Sequence, residues 1–112
     1  MSEYNPDSWV IVAITTPKET IHKLLAGWYG GYLGSDSWKL SSGFKDVTLE
    51  DDVYTIPQYS GSVYRVRKND ERMSGFTSSI YAGFVKQLEG SENTIKIISM
   101  EEFLDSKVQS PA

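Results

Sequence analysis

The chain has no cysteine, which excludes a disulfide framework, a cysteine nucleophile and a thiolate metal site. It has one histidine, His22, which falls off the apolar pattern around it and reads as a solvated residue. A catalytic role for it would need partners that the sequence does not place. Basic residues are outnumbered, 11 Lys and Arg against 15 Asp and Glu, for a formal net charge of −4. General nucleic-acid binders draw their affinity from basic groups that neutralise phosphates, so that class is excluded, although a local basic patch is not. Long hydrophobic runs are missing too. The run from Trp9 to Ile14 is too short for a signal sequence or a bilayer span. No zinc, calcium or phosphate-loop motif occurs, so neither a metal nor a cofactor is expected. The reading is a soluble, cytoplasmic protein without membrane contact.

What is present is a globular composition over 112 residues, 39% hydrophobic, 12% aromatic and 23% charged. That fits one domain with a true core, with residues 1–7 and 107–112 as flexible ends. Trp9–Thr15 is apolar and rich in β-branched residues, which predicts a central strand buried on both faces. Thr16-Pro17-Lys18-Glu19 has the form of a helix start with a capping box. Ile21, Leu24, Leu25 and Trp28 follow at helical spacing, which predicts a helix into Trp28. The glycine-rich, aromatic segment Trp28–Gly34 then breaks it.

A meander is predicted next. Trp38–Ser41 and Phe44–Leu49 form a strand bulged near Gly43. Glu50-Asp51-Asp52 turns the chain into a strand over 53–56, and residues 57–61 turn it into a strand over 62–68. On that last strand Arg65 and Arg67 share one face and Tyr64 and Val66 the other. A second helix begins between Ser74 and Ser78 and stops at Gly90, with Phe76, Ile80, Phe84 and Leu88 on one side, widened by Tyr81 and Val85. Thr94–Ser99 is a strand, and Ser99-Met100-Glu101-Glu102 caps a short terminal helix. The order β-α-β-β-β-α-β predicts an α+β fold: a mostly antiparallel sheet of about five strands with two helices packed on one face.

Three groups of residues stand out for function. Arg65, Arg67 and Arg72 cluster with Lys68 between them, and guanidinium groups grip phosphates and carboxylates in a planar, bidentate way. The alternative is a solvated face paired with Asp46, Asp51 or Asp52. Ser60-Gly61-Ser62, after Tyr59, offers hydroxyls and backbone N–H groups suited to an anion, or is an ordinary hairpin turn. Tyr29 and Tyr32, beside glycines, suit a protein interface, since exposed aromatics anchor such contacts. Trp28 fits the core. The bend at Ser41-Ser42-Gly43 either shapes a pocket or bends the sheet.

The run Trp38-Lys39-Leu40-Ser41-Ser42-Gly43, an acidic turn, and then Tyr59-Ser60-Gly61-Ser62-Val63-Tyr64 resembles short, uncharacterised proteins of tailed bacteriophages. That resemblance implies an accessory protein made in an infected bacterium, acting on a host protein or a signalling nucleotide. From the residues themselves, the leading expectation is a non-enzymatic module that binds another protein through Tyr29, Tyr32, Tyr59 and the arginines. The alternative is a binder of a nucleotide or other phosphate-containing ligand through Ser60, Ser62, Arg65 and Arg67, with a homo-oligomer sharing the pocket. A compact phosphate-ester hydrolase ranks third.

Overall fold

Thr16 closes a hairpin. In the computed structural model, which describes residues 2–30 and 36–108, the Thr16 N–H donates to the Glu19 carbonyl at 2.8 Å. Its Oγ1 accepts from the Lys18 and Glu19 N–H groups, both at 3.2 Å. These are the bonds of a capping threonine, but here they join two antiparallel strands, β2 (Ser8–Thr15) and β3 (Thr20–Trp28). The helix expected over this stretch is therefore a strand. The apolar spacing misleads because β3 is covered on both faces. Leu24 and Ala26 point one way and Leu25 the other, all buried, so the polar alternation that marks a half-exposed strand is absent.

The structure has two sheets where one was expected. β4 (Ser37–Leu40) pairs with β3, and β8 (Thr94–Ile98) pairs with β2, giving the order β4-β3-β2-β8. The second sheet contains β1 (Glu3–Tyr4), β5 (Thr48–Glu50), β6 (Val53–Pro57) and β7 (Val63–Arg67), in the order β1-β7-β6-β5. β1 runs parallel to β7, and the other pairings are antiparallel. The single bulged strand expected through Gly43 is in fact two strands in different sheets, and residues 41–47 cross between them. The acidic turn is where it was expected. Asp51 and Asp52 have φ of 52° and 62°, and two left-handed central residues match the twist of the flanking β5 and β6.

The inner faces of the sheets meet in one core. Trp9, Ile11, Ala13, Leu24 and Ala26 pack against Tyr54, Ile56, Tyr64 and Val66. β2 is central and buried on both faces, as its composition implied, and its alternate residues Val10 and Val12 join Leu25 in a second cluster on the outer face. The helices do not share a face. α1 (Gly75–Leu88) covers the second cluster with Ile80, Tyr81 and Phe84. α2 (Met100–Val108) instead inserts Met100 and Phe103 between the sheets. Ser74 and Thr77 cap α1 reciprocally. Ser99 Oγ accepts from the Glu102 N–H at 2.9 Å, and a Glu71 carboxylate oxygen accepts from Met100 at 2.7 Å, which together hold the start of α2. The α+β class holds, with eight strands and two α-helices among the described residues.

Candidate functional site

The crossing segment 41–44 is pinned to the β6–β7 turn by three bonds. Gly43 donates to Gln58 Oε1 at 3.2 Å, Tyr59 donates to the Gly43 carbonyl at 2.9 Å, and Ser60 donates to Ser42 Oγ at 3.0 Å. The buried Gln58 side chain also donates to the Ile56 carbonyl at 3.1 Å. Gly43 is required here. Its φ is +123°, and an added Cβ would lie 2.9 Å from the Tyr59 ring and 3.1 Å from Ile21. Two concavities flank this segment. Phe44 lines one, and Ser41 and Ser42 line the other.

The first is a cleft of about 660 Å³ at the end of the sandwich, where β3, the crossing segment, the β6–β7 turn and α2 meet. His22, Phe44, Tyr59 and Phe103 supply its rings. His22 is half-buried, contrary to its reading as a solvated residue. It shares the core-facing side of β3 with Leu24 and Ala26. Its ring meets Phe103 edge-on at 4.9 Å and lies 6.4 Å from Phe44. Burial holds the His22 pKa below its ordinary value, and the charge of Lys107 adds to this. Lys107 in turn pairs with Asp46 at 2.8 Å and donates to the Lys45 carbonyl. The hydrogen bond that Lys107 donates to Asp46, with the attraction of the ammonium, holds the Asp46 carboxyl below its usual value. Tyr59 is 57% exposed at the rim.

The second concavity, about 310 Å³, opens between the β3–β4 side of one sheet and the β1–β7 edge of the other. Ser60 and Ser62 line it with Lys23, Lys39 and the two crossing-segment serines. Lys39 Nζ lies 5.0 Å from the centre of the Tyr4 ring, and that ring stacks at 4.9 Å on Tyr64. Tyr64 is 1% exposed, and its hydroxyl has no hydrogen-bond partner among the described residues. Burial, with a smaller contribution from Tyr4, pushes its pKa up to about 12. The backbone of the turn is not a free anion nest. Gln58 donates to Ser62, Gly61 donates to Gln58, and Ser62 donates to Ser60 Oγ.

The arginines lie elsewhere. Tyr64 and Val66 are buried, so Arg65 and Arg67 project from the opposite, solvent face of β7. Beside them is a depression of about 400 Å³ shared with Asn5, Asp7 and Asp70. Neither arginine is in an ion pair among the described residues. The carboxylates considered as their partners behave differently, since Asp46 is held by Lys107. Arg72 bonds to Asp70 at 3.2 Å, and the Tyr29 hydroxyl, followed by Asp70, raises its pKa. Tyr29 is 44% exposed at the far end of β3 from His22. Six residues separate the two, on the order of 23 Å along a strand. Tyr32 lies outside the described residues.

The structure thus brings Ser60 and Ser62 together, and brings Tyr29 to Arg72. It separates the serines from Arg65 and Arg67, whereas Tyr29 and Arg72 bond to Asp7 and Asp70, which line the depression beside those arginines, and it gives Tyr59 to the cleft. Sequence reasoning missed Phe44, Phe103 and Lys107 as neighbours of His22. The parity of His22 with Leu24 and Ala26 would have found that face, had the segment been read as a strand. It also missed Lys23 and Tyr64 beside the serines. Against family models, curated proteins and solved structures, the chain has no match.

Proposed function

We propose that this protein is a non-enzymatic binding module that docks another protein by receiving an apolar anchor side chain in the cleft between its sheets. The observation that carries this reading is the cleft itself, about 660 Å³, walled by Phe44, Phe103, Ile21 and the exposed Tyr59, with Glu19, Lys45 and Lys107 at its polar margin. Apolar pockets of this size ringed by charge are the usual seats of anchor residues. An aromatic such as Tyr59, half in contact and half in water, is the side chain that most often carries contact energy there. His22 supports binding over catalysis. Its ring packs against Phe44 and Phe103 near the Lys107 ammonium, and among the described residues no carboxylate bonds to it as a general base requires. The likeness of residues 38–43 and 59–64 to phage proteins extends the proposal to a bacterial host protein as partner.

The test compares stoichiometric partners recovered from bacteria by the wild-type protein, by Tyr59→Ala and by Ser106→Trp, which fills the cleft from α2. A partner held by the wild type and weakened about thirtyfold or more by each variant, with thermal unfolding unchanged, is the expected result. A partner recovered equally by all three overturns the reading.

A further inference from the structure

We infer that the pocket between β4 and the β1–β7 edge is a binding site for a small oxyanion, specifically the phosphate group of a small molecule. This goes beyond the docking reading and is independent of it.

The argument is a count of hydrogen-bond roles. Ser41 Oγ accepts from the Leu24 N–H at 2.8 Å, Ser42 Oγ accepts from Ser60, and Ser60 Oγ accepts from Ser62. Each oxygen is thereby fixed in place, and each hydroxyl keeps a proton for which the described residues supply no acceptor. Lys23 and Lys39 add two ammonium groups with no ion pair among the described residues. Among the described residues no carboxylate lines the pocket, in a chain with 15 acidic residues. A cavity that presents hydroxyl and ammonium donors without a competing anion is built to receive one.

Tyr64 supplies the second, independent observation. A hydroxyl buried without a partner is costly, and native chains tolerate few of them. Tyr64 lines the same pocket as the five other donors. Phenylalanine would fill the space without the cost. The exposed Lys39, now lying across the Tyr4 ring, is the movable group. The volume of about 310 Å³ admits a phosphate with a small substituent. The arginines are not part of this site, because they leave β7 from its other face.

The experiment is a titration of the full chain with inorganic phosphate, followed by amide NMR, on the wild type and on Lys39→Met, Ser42→Ala and Tyr64→Phe. Saturable shifts at the amides of Ser41, Ser42, Ser60 and Ser62 are expected. Each variant should weaken binding about tenfold. Tyr64→Phe should do so while melting no lower than the wild type, so that the weaker binding is not a loss of fold. Phosphate shifts that do not saturate, shifts confined to Arg65 and Arg67, or undiminished affinity in Lys39→Met would each overturn the assignment.

Discussion

The indole Nε1 of Trp9 donates to the carbonyl oxygen of Arg67 at 2.7 Å, joining β2 of one sheet to the end of β7 in the other. Trp9 is fully buried, and the bond is part-buried. The residue contributed by β7 is a backbone group, and the arginine side chain plays no part.

Trp9→Phe removes this bond, strands the carbonyl and leaves a void. The expected cost is about 2–4 kcal/mol. Arg67→Ala leaves the carbonyl in place and should change stability by no more than about 0.5 kcal/mol. Urea denaturation of both variants checks the pair. Equal losses would show that the side chain of Arg67, not its backbone, matters to the junction.

The pKa of His22 is held low by burial and then by Lys107, so the unfolded chain binds a proton there more readily than the folded one. Stability from this group is complete above the unfolded value of about 6.5 and is lost as pH falls through the lower folded value. A proton titration followed by NMR should give a midpoint below 6.5. Lys107→Met should raise that midpoint part of the way only, because burial remains. A full return to the ordinary value would assign the whole effect to Lys107.

Gly43→Ala places a Cβ at a left-handed φ and against the Tyr59 ring. It should cost about 2 kcal/mol or more. Adding Tyr59→Ala to that background should recover the steric part and leave the backbone strain. Calorimetry on the single and double variants separates the two. A single variant that melts with the wild type would mean that the crossing segment is free to move.

The legible parts of the fold were those whose local pattern agrees with their surroundings. β2, the acidic turn, β7 with its alternating faces, and α1 with its apolar stripe all follow from spacing and turn chemistry. β3 did not. Thr16 makes the bonds a helix cap would make, and Ile21, Leu24, Leu25 and Trp28 fall at helical intervals. Only tertiary cover on both sides decides for a strand. Gly27 bears the same mark. A Cβ there would lie 2.8 Å from Thr77 Cγ2 on α1, a closeness that nothing in the local sequence announces. The split of the Ser60–Arg67 region had a different source. Ser62 and Tyr64 share a parity that Arg65 and Arg67 do not, so the alternation already present in the sequence divides them, while the turn chemistry alone had grouped them.

The central strand β2 has one neighbour, β3, close behind it in the chain, while the other, β8, arrives only at Thr94–Ile98. During synthesis the β2–β3 hairpin emerges with the far flank of β2 unpaired, and that flank waits for everything between Thr15 and Thr94 before it closes. Such distant pairings slow folding and prolong the exposure of apolar edges. Early growth of this protein thus depends on keeping Ile11 and Ile14 from other strands until residues 95–98 leave the ribosome.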